Sequence, residues 1–244
     1  MATWLDSAFA GYDYAILKLL HGLGCGFLTF IFKLITFLGE KGIIFFVLAL
    51  ALMCFSRTRK FGICLFGAVA CGALITNVIL KDTVERIRPY LADSTYHEWW
   101  AAIKAPEEDG FSFPSGHATA AAAGMTAICL MKGKKWVVPS VIWVLLMMIA
   151  RNYLMAHYPS DVLFGVLIGV ASGFIAWYIT QAIYRLLGKK RNAKWARLCL
   201  EYDVPVPDAL TDTLKGIWDT VAAFFISLFS KPTNRGYVGK HEKR

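Results

Sequence analysis

Three short segments, far apart in the chain, carry the residue types that phosphate chemistry requires. The first is Lys81-Asp82-Thr83-Val84-Glu85-Arg86-Ile87-Arg88-Pro89, the second Pro114-Ser115-Gly116-His117, and the third supplies Arg151, His157 and Asp161. Lys81, Arg88 and Arg151 would put three cations near one point, for which a doubly charged phosphate is the natural ligand. Arginine holds it through a planar fork and lysine as a point charge. Snorkelling to a membrane interface accounts for Lys81 or Arg88 singly but poorly for all three. Ser115 precedes a run of small residues, Ala118-Thr119-Ala120-Ala121-Ala122-Ala123, so it reads as a helix N-cap whose backbone N–H groups bind an anion, with Gly116 allowing close approach. Alone, that tetrapeptide could equally be an ordinary cap. Pro159 fits the first turn of a helix after His157, with Asp161 close behind. Asp161 would then fix the His157 tautomer and leave the other ring nitrogen free to attack.

Those residues need a scaffold, and the composition points to a bilayer. Of 244 residues 57% are hydrophobic and 18% charged, far more apolar than a soluble domain. A crossing takes about 20 mostly apolar residues, fewer where neighbours or basic side chains shield its ends. Residues 42–55, 61–80, 115–131, 136–150 and 161–187 read as crossing helices, the first and fourth short. Over 21–40 the positions Gly22, Gly26, Thr29, Lys33, Thr36 and Glu40 recur at helical spacing and leave Phe27, Phe30, Ile31, Leu34, Phe37 and Leu38 as an apolar face. That pattern suits a helix lying in the interface, or a further crossing with its polar stripe toward the bundle. The expected fold class is all-α, an integral membrane helical bundle of five or six transmembrane helices with N-terminal and C-terminal amphipathic helices. Its expected parts are interfacial helices over 1–40, a catalytic membrane domain over 41–187 and a basic tail over 188–244. The N-terminus has no positive charge before its apolar residues and does not read as a secretory signal.

Charge then orients the bundle. Residues 56–60, 132–135 and 185–197 are rich in Lys and Arg and alternate so as to fall on one side, which the positive-inside rule makes cytoplasmic. The loop over 82–112 is mostly acidic and should face outward, where all three motifs meet. The net charge of +9 is thereby explained by an anionic leaflet and calls for no nucleic acid. Trp99 and Trp100 would anchor that loop at headgroup level or pack within it. The six cysteines show no Cys-x-x-Cys spacing, so neither a metal site nor a disulfide framework is expected. An amphipathic helix over 208–230 is expected on the cytoplasmic surface.

The spacing Lys-x6-Arg-Pro, then Pro-Ser-Gly-His, then Arg-x5-His-x3-Asp resembles that of the type 2 phosphatidic acid phosphatase superfamily of integral membrane lipid phosphatases, over roughly residues 36–187. The resemblance implies that His157 attacks phosphorus to give a phosphohistidine, with Asp161 orienting it. His117 would protonate the leaving group and later activate water. Lys81, Arg88, Ser115, Gly116 and Arg151 would hold the phosphoryl oxygens, with no metal or other cofactor. Ala150 stands where the third motif usually has serine, which removes one hydroxyl donor. The implied substrate is a lipid phosphate or diphosphate such as undecaprenyl diphosphate, phosphatidylglycerophosphate or phosphatidic acid. The same donor site would serve a lipid phosphotransferase, and a non-catalytic lipid-binding protein could keep the fold. Headgroup, chain and oligomeric state are not encoded legibly.

Overall fold

In a computed structural model, which describes residues 2–203, Gly216 and Thr220, every regular element is helical. The tail helix expected over 208–230 falls, apart from those two positions, outside the described residues. The helices are α1 (Ala2–Gly22), α2 (Gly26–Leu38), α3 (Ile43–Met53), α4 (Ser56–Ala73), α5 (Lys81–Val84), α6 (Pro89–Ala92), α7 (Ser94–Ala102), α8 (Gly116–Lys132), α9 (Val137–Tyr153), α10 (Pro159–Lys189) and α11 (Lys194–Glu201). Among the described residues, four stretches are long and apolar enough to cross a membrane, namely Gly26–Met53, Ser56–Ala92, Lys134–Tyr153 and Pro159–Lys189. With their lipid-facing residues exposed, these make the chain a multi-pass membrane protein.

The expected crossing over 115–131 forms a helix, α8, that is not among those four; it is rich in alanine and enclosed by protein. Ala118, Ala120, Ala121, Ala122, Ala123 and Ala127 are all buried against α4, α9 and α10. α10 answers with Gly165, Gly169 and Gly173, one per turn on a single face. A Cβ on Gly169 would lie 2.4 Å from the Thr119 carbonyl oxygen and 2.7 Å from the Ala122 Cβ, so only glycine lets the two backbones approach this closely. The contact has a polar lock as well, since the Thr119 hydroxyl lies 3.0 Å from the Gly165 carbonyl across the interface.

Two departures from regularity bear on the site. Between α4 and α5 the chain forms a π-helix, Leu74–Leu80, which widens the turn just before Lys81. α2 and α3 meet at a tight 3-10 turn, Glu40–Gly42, with Gly42 at φ 73°. Thr29, near the start of α2, hydrogen-bonds the Tyr153 hydroxyl at 2.7 Å, and Gly39, just past its end, abuts Met147. Both ends of α2 thus stay near the last two turns of α9. Trp100 packs within its own loop, stacked on Tyr90 at 4.9 Å, while Trp99 stacks on His21 of α1 at 4.6 Å.

The glycine face of α10 is testable by size alone. Gly169→Val should destabilise the bundle by about 1–3 kcal/mol through overpacking. Gly11→Ala on the open side of α1, where nothing lies within 4 Å, should be neutral or stabilising by about 0.4–1 kcal/mol. Melting temperatures in detergent would decide, and equal effects at the two positions would refute the close-contact account.

Candidate active site

Local structure delivers the charged side chains to one end of the bundle. Ser115 is the N-cap of α8, its Oγ accepting the Ala118 N–H at 3.5 Å, while its own N–H donates to the Asp161 carbonyl at 3.1 Å. Pro159 opens α10 and Asp161 is its third residue, accepting the Tyr158 N–H at 3.1 Å, half of a capping box. Between α9 and α10 the chain reverses through Met155 at φ 55°, an uncommon conformation for a side-chain-bearing residue, which brings His157 back over the end of α9. The basic ends of α4, α8 and α10 lie at the far end, where Arg59 donates to the Cys199 carbonyl at 2.8 Å.

A cavity of 570 Å³ opens at this end, lined among others by Glu40, Asn77, Lys81, Arg88, Glu108, Gly116, His117 and His157. Five of the eight residues expected from sequence therefore share one wall. Arg151, Ser115 and Asp161 lie behind that wall, each fully buried.

His157 is held by a group that sequence did not reveal. Its Nδ1 lies 2.7 Å from the Ser112 carbonyl oxygen, which can only accept, so Nδ1 carries the proton and Nε2 keeps its lone pair. The Ser112 hydroxyl donates to Asp161 Oδ2 at 2.5 Å. The expected pairing of Asp161 with the imidazole is thus relayed through Ser112. Burial, reinforced by Arg151, Arg88, Lys81 and His117, pushes the His157 imidazole well below its usual value of 6.5. His117 is likewise buried, with Nε2 3.4 Å from Glu40 Oε2.

The cations differ in how they are engaged. Arg88 donates to three backbone carbonyls, those of Gly110, Ala156 and Asp109, at 2.9, 2.9 and 2.7 Å. Here it ties the acidic loop to the His157 turn while facing the cavity. Arg151 is fully buried; its Nη2 sits 2.7 Å from Glu108 Oε1, while Nε, Nη1 and Nη2 all lack a hydrogen-bond partner. A buried guanidinium with open donors is costly unless an anion completes it. Lys81 lies on the same cavity wall.

Arg86 lies within the first motif, yet the spacing of the motif gives it no role. It is 1% exposed and binds Asp161 at 2.6 Å, Asp13 at 2.9 Å and Asp6 at 2.8 Å, with the Tyr158 ring 3.9 Å away. Asp13 also accepts the Ser160 N–H and hydroxyl at 2.8 and 2.7 Å, so α1 is bolted to the start of α10 beside the site. The available signal was Asp6 and Asp13, one heptad apart and hence on one face of an otherwise apolar helix. Because Asp13 is buried, Asp13→Ala should cost about 3–5 kcal/mol by leaving Arg86 undercompensated. Thermal unfolding in detergent checks this, together with proteolysis of α1; an unshifted melting temperature would show that α1 is held by its apolar contacts instead.

Comparison with known proteins places the chain in a family. An undecaprenyl-diphosphatase from Sulfolobus acidocaldarius is 29% identical over 126 residues, covering 51% of this chain and 58% of its own. A lipid A 4'-phosphatase from Bacteroides thetaiotaomicron is 29% identical over 133 residues, 54% of this chain and 53% of its own. A phosphatidylglycerophosphatase B from Haemophilus influenzae is 37% identical over 100 residues, 37% and 39% of the two chains. The chain thus spans about half the length of the curated relatives it matches. The crystal structure of a transmembrane PAP2-type phosphatidylglycerolphosphate phosphatase from Bacillus subtilis superposes with a TM-score of 0.60 at 23% identity, covering 75% of this chain and 91% of that one, and so shares the fold. The PAP2 superfamily model matches residues 61–185, a stretch that takes in every charged group from Lys81 to Asp161 at the cavity end, and the chain belongs to that superfamily.

Proposed function

We propose that the chain is a membrane lipid phosphatase that hydrolyses a lipid phosphate or diphosphate through a phosphohistidine on His157. The observation that carries this reading is the state of His157: its Nδ1 proton is committed to the Ser112 carbonyl, Nε2 is left as a free base, and the ring lines a cavity shared with Lys81, Arg88 and His117. Nε2 attacks phosphorus, the bond from phosphorus to the leaving oxygen breaks, and His117 gives that oxygen a proton. As the His157 ring acquires positive charge, the Ser112 carbonyl and, through the Ser112 hydroxyl, Asp161 stabilise it. Water then attacks the phosphohistidine with His117 taking its proton, and phosphate leaves.

Lys81, Arg88 and Arg151, with the Ser115 cap and Gly116 at the start of α8, hold the phosphoryl oxygens as charge shifts. These cations supply the charge stabilisation, so the proposed reaction needs no metal ion. Phe37 of α2, Ala73 beside the π-helix and Ala120 of α8 give the cavity an apolar part, which supports sideways entry of a lipid. The basic far end supports a site on the extracytoplasmic face. Undecaprenyl diphosphate and phosphatidylglycerophosphate are the substrates that the names of the relatives favour, with phosphatidic acid a third.

Purified protein should release phosphate from at least one of these three lipids in detergent with excess chelator, and His157→Ala should lose about a thousandfold or more of kcat. Chelator-abolished release would remove the metal-free mechanism, and a fully active His157→Ala would remove the nucleophile. His117→Ala, given a phosphate ester whose leaving group needs no proton, should accumulate acid-labile phosphoenzyme. Because His157 is pushed downward, it stays neutral as pH falls through 6.5, and the enzyme's acid limb in kcat/KM should lie well below that pH once substrate ionisation is allowed for. A limb at or above 6.5 that belongs to the enzyme would contradict the assignment.

A further inference from the structure

The phosphate site carries an anion of its own, and its chemistry suggests what that anion is for. Arg151 does not line the cavity; Glu108 does, and Glu108 Oε1 lies 2.7 Å from Arg151 Nη2. Arg88 lines the same cavity and donates to the carbonyls of Asp109 and Gly110, the two residues that follow Glu108. Glu108 therefore pairs with one guanidinium group that a phosphoryl group would have to engage and lies in the loop held by the other.

Its position is built into the loop. The Tyr90 hydroxyl lies 3.1 Å from both the Glu108 carbonyl oxygen and the Glu108 N–H, accepting from the latter, and Arg88 donates to the carbonyls of the next two residues, Asp109 and Gly110. The backbone is pinned at these points while the side chain keeps 20% of its surface open, enough to swing toward the cavity mouth without the loop moving. Glu108 answers the charge of Arg151 from one side only and leaves Nε, Nη1 and Nη2 all without a hydrogen bond. An anion with more charge and more oxygens can complete what Glu108 leaves undone.

We propose that Glu108 is a specificity-determining residue of the phosphate site: its carboxylate holds Arg151 until a phosphomonoester or diphosphate terminus displaces it, and it keeps phosphodiester headgroups out. This rests on the phosphatase reading of the site. A site open sideways to a bilayer is surrounded by phosphodiester lipids, each with a single negative charge on its phosphate. A monoanion gains little by exchanging with a carboxylate monoanion already in place, whereas a dianionic terminal phosphate brings a second charge and a third oxygen to the same cations. Without Glu108, Arg151 would be open to every headgroup that drifts in.

The test uses purified full-length protein in detergent and reads binding directly, by calorimetry, with inorganic phosphate and dimethyl phosphate as dianion and diester probes. Wild type should bind phosphate tightly and dimethyl phosphate far more weakly, with both constants measurable. Glu108→Gln should bind phosphate about tenfold tighter and dimethyl phosphate tighter by a larger factor, so that the ratio between the probes narrows. Phosphatidylglycerol in mixed micelles should then inhibit phosphate release by this variant and not by wild type. Glu107→Gln, which removes a neighbouring cavity-lining charge without touching Arg151, should shift both probes by the same small factor. Tightened binding cannot arise from misfolding. An unchanged ratio between the probes in Glu108→Gln, or a ratio that changes equally in Glu107→Gln, would overturn the role of Glu108. If wild type bound neither probe and released no phosphate from any lipid, the phosphatase reading itself would fall, and the inference with it. Binding and turnover with an unchanged ratio would sink Glu108 alone.

Discussion

Charge held away from water must be answered by charge, and the position of nearly every element at the cavity end follows from that requirement. Arg86 and Asp161 are each almost completely buried, yet neither stands in an isolated pair. Asp161 also receives the Ser112 hydroxyl and the Tyr158 N–H, and Arg86 receives Asp13 and Asp6 from α1. A buried ion pair with two partners barely offsets its own desolvation, whereas one whose remaining donors and lone pairs are all filled becomes a fixed point in the structure. This fixed point joins α1, the segment after α5, the Ser112 turn and the start of α10. His157 hangs from it through Ser112.

The helix packing serves the same end. α8 and α10 run side by side from Ser115 and Asp161, and the glycine face of α10 brings them close enough for the Ser115 N–H to reach the Asp161 carbonyl. The helix start capped by Ser115 and the helix start that carries the charge anchor are thereby locked together. In a bilayer there is no hydrophobic gain from moving apolar side chains out of lipid and into a helix interface, so close backbone approach and interhelical hydrogen bonds do much of the work of association. Small residues on both helices are what that physics requires.

The motif residues were legible in sequence because their chemistry is carried by residue type and spacing: Lys81, Arg88, Gly116, His117 and His157 all reach one cavity. The Ser115 cap and the Pro159 start of α10 were legible for a local reason, as both depend on a few consecutive residues. What escaped was long-range. Arg86 sits two residues before Arg88 in the same motif, but nothing local says that it turns inward to meet helix α1 while Arg88 turns to the cavity. Ser112 acts through its carbonyl as well as its hydroxyl, and a carbonyl is common to every residue. Glu108 looked like one of several loop acids, and only the fold brings it to Arg151. The α8 and α10 interface was hidden because the glycines of α10 lie within an apolar run that lipid contact alone would explain.

For the proposed phosphohistidine chemistry, the arrangement also resolves a conflict inherent in the site. A nucleophilic imidazole must stay neutral, whereas a phosphate must be drawn by positive charge, and both demands fall on the same few ångströms. Cations near His157 satisfy both, since the field that attracts phosphate also opposes protonation of the ring. The opposing need arises one step later, when attack on phosphorus makes the ring positive. Negative charge is required then, but charge directly against the imidazole would raise its proton affinity in the resting state. Placing Asp161 behind Ser112, already neutralised in part by Arg86, delivers a tempered negative potential through an oriented carbonyl dipole. The relay is thus a compromise between a ring that must be a free base at rest and the cation that it becomes on attack.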